Sequence, residues 1–244
     1  ILSDNINRND LYITTKVWPT DLGFIETYAS LLKSLNRMKT NYIDMYLLHW
    51  TQCFDHFDWM DCSNASNKEW EQSWQIMEKL YAEGYLLNIG VSNLNQNDFD
   101  LMINTQRFQI IPQLIQNHFD IANQDWEYYQ LITKYGIILQ AYATYRGLSQ
   151  AESRKGTYLT WKNTLNNIAQ SLNNGNNNSI SPSQVTLKWL INNNIAVIPR
   201  TSKINHLKDN FALNDVILSE SDMNTLTKGN KNSINDKDTK KQEL

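Results

Sequence analysis

Hydrophobic positions along this chain recur in two alternating periods. The stretch Tyr42-Ile43-Asp44-Met45-Tyr46-Leu47-Leu48-His49-Trp50 is a nearly continuous apolar run, as expected of a strand covered on both faces. Ahead of it, Leu31, Leu32, Leu35 and Met38 form one stripe of a helix over Ser30 to Met38, and Lys39-Thr40-Asn41 is the polar turn between the two. Leu11 to Val17 predicts an earlier strand. Further on, Trp70, Trp74, Met77 and Leu80 place a helix over Glu69 to Tyr85 that ends at Gly84, and Leu87 to Val91 follows as a strand. The alternation continues with a helix over Asp98 to Thr105, a strand over Gln109 to Ile115, a helix over Asp125 to Lys134 and a strand over Ile137 to Tyr142. Ser181-Pro182 supplies an N-cap and a first-turn proline to a helix through Val185, Trp189 and Leu190, ahead of the strand Ile195 to Ile198. A capping sequence, Ser219-Glu220-Ser221-Asp222, opens the last helix.

Strands separated by helices predict parallel βα units, hence an α/β fold of the TIM (β/α)8 barrel type. Such a barrel needs eight strands, and the pattern supplies about six, so two more are expected upstream and the chain is expected to be part of a longer protein. One domain over 1–228 is expected. Insertions interrupt it near 51–68 and near 166–181, the latter holding Asn173-Asn174-Gly175-Asn176-Asn177-Asn178, and a charged tail over 229–244 is expected to be disordered.

Composition narrows the function. The 244 residues carry 22 Lys and Arg against 25 Asp and Glu, a net charge of −3 with no basic stripe, so nucleic acid is not the expected partner. No apolar run reaches the length of a membrane span and Ile1 to Asn5 has no signal-peptide pattern, which makes a cytoplasmic protein the expectation. Cys53 and Cys62 are the two cysteines and can pair with each other. They share a polar loop with Asp55, His56, Asp58 and Asp61, metal-ligand residue types without the repeated close pairs of a zinc site, so a solvated insertion is the preferred reading and no metal is assigned.

Two strand ends carry candidate chemistry. His49 closes the Tyr42 to Trp50 run and Lys16 closes the Leu11 to Val17 run, and the C-terminal ends of barrel strands are where such enzymes assemble their sites. A histidine there can equally cap its strand with a hydrogen bond, so its residue type alone leaves both roles open.

Taken in order, these residues resemble the aldo-keto reductase family, its longer-loop subgroup in particular. The resemblance runs through Ile13-Thr14-Thr15-Lys16-Val17-Trp18, Tyr42-Ile43-Asp44 with Leu47-Leu48-His49-Trp50, Gly84 with Ile89-Gly90-Val91-Ser92-Asn93, and Gln116-Asn117. It continues through Gln140-Ala141-Tyr142, Ile198-Pro199-Arg200-Thr201-Ser202 and Leu207-Lys208-Asp209-Asn210. The resemblance implies that Ser92, Asn93 and Gln116 bind a nicotinamide carboxamide and that Tyr142, otherwise readable as a core aromatic, stacks on the nicotinamide ring. It further implies that Arg200, Thr201, His206 and Asn210 hold the adenosine phosphate. Arg200 stands where many members have lysine and His206 where many have arginine, and both keep a charged or chargeable group near a 2′-phosphate, which favours NADPH over NADH. Tyr142-Ala143-Thr144-Tyr145-Arg146-Gly147-Leu148 departs from the family's usual Ser-Pro-Leu after the tyrosine, leaving Gly147 and Leu148 as backbone contacts.

The implied reaction is hydride transfer from NADPH to an aldehyde or ketone carbonyl, with Lys16 lowering a tyrosine's pKa, His49 orienting the carbonyl, and Trp18 and Trp50 either lining the substrate mouth or packing in the core. The family's proton-donating tyrosine and its partner aspartate have no counterpart here, since Tyr12 lies on the lysine's own strand. The alternative is therefore a catalytically inactive nicotinamide-binding or interaction protein of the same fold.

Overall fold

The run around Leu47 becomes one strand of a chain that alternates strand and helix almost throughout. The computed structural model describes residues 6–54, 60–62, 70–149, 157–174 and 179–228. In chain order these form β1 (Thr14–Val17), α1 (Phe24–Met38), β2 (Met45–Leu48), α2 (Trp70–Ala82), β3 (Ile89–Ser92), α3 (Gln96–Asn104), β4 (Leu114–His118), α4 (Trp126–Thr133) and β5 (Ile138–Tyr142). There follow α5 (Arg146–Ser149), α6 (Thr157–Asn173), α7 (Pro182–Asn192), β6 (Ala196–Val197), α8 (Ile204–Phe211) and α9 (Glu220–Lys228). Two compact units divide them, one holding the described residues through Asn117 with Leu131–Ile138, the other those of His118–Gln130 and from Leu139 onward.

In the first unit β1, β2, β3 and β4 pair in parallel, with Lys16 opposite Leu47, Leu47 opposite Gly90 and Gly90 opposite Leu114. Parallel pairing aligns the strands' C-terminal ends, which is what brings their terminal side chains together. All four residues of β2 are buried, and Met45, Leu47 and Leu114 form one core cluster. Leu31 and Leu35 of α1 and Trp74, Met77 and Leu80 of α2 add a helical layer to the core. Below β1 and β2, Asp44 accepts from the Arg8 guanidinium at 2.6 Å and from the Ile13 amide at 2.8 Å, while the guanidinium lies 3.9 Å over the Tyr42 ring.

In the second unit β5 and β6 pair in parallel, Gln140 opposite Ala196. Trp189 of α7 is fully buried against Phe119 and Trp126. The capping expected of α7 is present: the Ser181 hydroxyl accepts from the Gln184 amide at 3.2 Å and Pro182 takes the first helical position. At α9 the Ser219 hydroxyl accepts from the Asp222 amide at 3.1 Å.

Three expectations shift. The insertion placed at 166–181 is helical as far as Asn173, because Leu165, Ile168 and Ala169 set a buried stripe among the asparagines of α6. The strand expected over Gln109 to Ile115 begins only at Leu114, since Glu78 accepts from the amides of Gln109 and Ile110 at 2.7 and 2.8 Å and occupies those donors outside the strand ladder. The helix expected from Ser30 starts earlier, at Phe24. Residues 175–178 of the asparagine run, Asp55, His56 and Asp58 of the cysteine loop, and the tail from 229 lie outside the described residues.

Candidate active site

The C-terminal ends of β1 to β4 carry a connected polar group. Lys16, on β1, donates from its ammonium to Oε1 of Gln116, on β4, which is only 2% exposed. Ser92, at the end of β3 and fully buried, donates to the Gln116 carbonyl at 2.8 Å. Asn93 follows in the left-handed conformation, φ 54°, that asparagine tolerates better than most residues. Its Nδ2 donates to the His49 carbonyl at 2.9 Å and to the Ser92 hydroxyl at 3.3 Å. His49 is thus tethered twice through its backbone, by Asn93 and by its own amide donating to the Val17 carbonyl at 3.1 Å.

The imidazole of His49 packs against two indoles. It stacks on Trp50 at 3.9 Å between centroids and meets Trp18 edge-on at 4.9 Å, while the two indoles meet edge-on at 5.9 Å. This apolar wall has electrostatic consequences. Burial pulls the Lys16 pKa down to about 8, and burial followed by the Lys16 charge pulls His49 down to about 3. Near neutral pH the pair is therefore a cation beside a neutral imidazole, with one ring nitrogen a donor and the other an acceptor.

Just beyond Trp50, Thr51 donates to Asp98 at 2.6 Å, and Cys53 and Cys62 form a disulfide. Among the described residues no group of His, Cys, Asp or Glu is placed to hold a metal ion.

In the second unit, Tyr142 ends β5 half-buried, its pKa raised by burial against an opposing pull from Arg146. Its ring stacks on His118 at 5.7 Å. Beyond β5, the segment Ala143 to Arg146 and the segment Ile198 to Arg200 line one pocket, so the guanidinium-bearing residues Arg146 and Arg200 border the same space. Tyr145 donates to Oδ1 of Asn210, on α8, at 2.8 Å, tying the loop after β5 to that helix. Thr201 accepts from the Lys203 amide at 3.0 Å just ahead of α8. Leu148 lies within α5, and His206 is exposed on α8.

Lys16 and His49, expected as a catalytic pair, and Ser92, Asn93 and Gln116, expected at a carboxamide, are joined in one hydrogen-bonded cluster. The sequence does not single out Arg146 as lining the pocket of Arg200, nor His118 with Asp120 and Asn123 behind Tyr142. The Asp-x-x-Asn spacing of the last pair is a turn signal, but nothing local to it indicates that an aromatic ring packs there.

The donor types fit a nicotinamide cofactor. Buried hydroxyl and amide groups at the ends of β3 and β4 suit a carboxamide, and two arginines bordering one pocket suit a phosphate.

Comparison with known proteins agrees. The aldo/keto reductase family matches residues 1–231. The oxidoreductase YtbE of Bacillus subtilis is 30% identical over 93% of this chain and 70% of its own length. Glyoxal reductase of the same organism is 27% identical over 95% of this chain and 72% of its own. An aldo/keto reductase structure from Brucella melitensis superposes with a TM-score of 0.74 at 28% identity, covering 92% of this chain and 75% of that one. The α/β fold, with its parallel strands and covering helices, is of the TIM-barrel kind found in these enzymes. Strand-end residues, fold and relatives agree, and the chain belongs to the aldo/keto reductase family.

Proposed function

We propose that this protein is an NADPH-dependent oxidoreductase that reduces aldehyde or ketone carbonyls to alcohols. The observation that carries the reading is the juxtaposition of a charged Lys16 and a neutral His49 at adjacent strand ends, walled by Trp18 and Trp50. A carbonyl oxygen gains negative charge as hydride reaches its carbon, the Lys16 ammonium and a neutral imidazole donor stabilise that charge, and a proton taken up from solvent completes the alcohol. The cofactor supplies the hydride. The protein supplies orientation and a water-poor pocket, in which each hydrogen bond counts for more than in bulk water.

Ser92, Asn93 and Gln116 are assigned to the carboxamide, and Gln116 also fixes Lys16 through the bond already in place. On the family resemblance, Tyr142 is assigned to the nicotinamide ring, Leu148 to a backbone contact, and Arg200, Thr201, His206 and Asn210 to the adenosine phosphate. Arg146 adds a second guanidinium beside Arg200, which favours the phosphorylated cofactor. Trp18 and Trp50 border the carbonyl substrate. The cytoplasm is the proposed compartment.

NADPH added to the purified full-length protein should quench tryptophan fluorescence saturably, and a reactive aldehyde should then drive NADPH oxidation. Quenching without oxidation would leave a nicotinamide-binding protein of the same fold, and neither response would remove the cofactor reading as well.

A further inference from the structure

Tyr142 does not meet its cofactor face unsupported. Behind it stands a group of three side chains that the reduction chemistry does not use. The His118 ring lies within 28° of parallel to the Tyr142 ring, with centroids 5.7 Å apart. The imidazole is itself held at both nitrogens: Nε2 is 2.9 Å from Oδ2 of Asp120, and Nδ1 is 3.2 Å from Nδ2 of Asn123. Asp120 is fully buried, and its second oxygen accepts from the amides of Ala122 and Asn123 at 2.7 and 2.9 Å. Backbone bonds in both directions between Asp120 and Asn123 close the turn.

This arrangement leaves the imidazole little rotational freedom. A carboxylate fixed by two amides holds one ring nitrogen as a donor, and an amide donor faces the other, so the plane of the ring is set by in-plane bonds on opposite sides. Stacking passes that plane on to Tyr142, whose ring otherwise turns about its own χ angles.

We propose that His118, held by Asp120 and Asn123, is a positioning residue that sets the plane of Tyr142 for stacking on the nicotinamide ring. The proposal rests on the cofactor reading given above, with the nicotinamide on the face of Tyr142 opposite His118. Its function is to lower the conformational cost of that stack, so its loss should weaken the nicotinamide half of the cofactor and leave the adenosine half unaffected.

The test compares the affinities of NADPH and of 2′-phospho-ADP-ribose, which lacks the nicotinamide, by fluorescence titration of variants shown to be folded by circular dichroism. His118→Gln should weaken NADPH by about three- to tenfold, the range expected of one aromatic stack, and leave 2′-phospho-ADP-ribose unchanged. Tyr142→Ala should do the same, and the double variant should lose no more than Tyr142→Ala alone. Asn123→Ala, at an exposed position, should give a smaller loss in the same direction and serves where His118→Gln does not fold. Equal weakening of both ligands, additive losses, or a His118→Gln variant that binds NADPH like the wild type while Tyr142→Ala does not would overturn the proposal alone. A wild type that binds neither ligand, or a Tyr142→Ala variant that binds NADPH normally, would overturn the cofactor reading with it.

Discussion

Burial sets the protonation of Lys16 and His49 against what each would adopt in water, and this gives the protein two pH windows. Lys16 holds its proton only up to about pH 8 when folded, against 10.5 in the unfolded chain, so across that interval the unfolded chain binds the extra proton and stability rises with pH. His49 follows the same sign lower down: between about 3 and 6.5 the unfolded chain takes a proton that the folded chain refuses, so stability falls as pH drops through that window. Urea midpoints measured against pH should show the acid loss in the wild type and a smaller one in His49→Leu. Activity should move oppositely to stability at high pH. Because only the charged ammonium stabilises a developing oxyanion, kcat/KM for an aldehyde should decline as pH rises through about 8, and a flat profile there would separate Lys16 from the chemistry. Both residues were legible in the sequence because each ends an apolar strand. Their neighbours were legible only through the family resemblance, since the Lys16 to Gln116 bond joins residues far apart in the chain. The group behind Tyr142 was not legible at all, because an Asp-x-x-Asn turn gives no sign of the ring it supports.

Elements matter here for how tightly they let strand ends approach. Gly90 sits in β3 between β2 and β4, and a Cβ built there would press on the Leu114 carbonyl and come within 2.8 Å of the Leu47 side chain. Gly90→Ala should therefore destabilise the protein by about 1–3 kcal/mol, the cost of overpacking, read as a lower urea midpoint at unchanged m-value. At the other end of β1 and β2, Asp44→Ala leaves the Arg8 guanidinium, 18% exposed, without its carboxylate and frees the Ile13 amide. The same measurement should show a loss of about 3 kcal/mol, as for breaking a largely buried pair from one side. Helical periodicity predicts α2 and α7 well, because tryptophans and leucines mark their buried faces, whereas α4 turns Tyr128 and Ile132 inward. The first half of α6 and its continuation past Asn166 are not legible in the sequence, as the apolar stripe is thin and the asparagines have weak helix propensity. Packing of Leu165, Ile168 and Ala169 outweighs that propensity.

On the scale of the whole molecule, the order of strands and helices gave the fold class directly, whereas the chemistry depends on the particular side chains at the strand ends. Arg200→Ala should weaken NADPH by tenfold or more, roughly the value of a charge-assisted bond, while NADH affinity stays the same; equal loss for both would remove the phosphate role. On the proposed function, Lys16 serves reduction and not cofactor binding. That role is tested most directly by measuring aldehyde-dependent NADPH oxidation and NADPH fluorescence titration side by side in the full-length wild type and in Lys16→Met. Lys16→Met should stay folded and still bind NADPH while its turnover falls by about a hundredfold or more. A variant that turns over like the wild type, or a wild type that binds NADPH and reduces no aldehyde, would contradict that role.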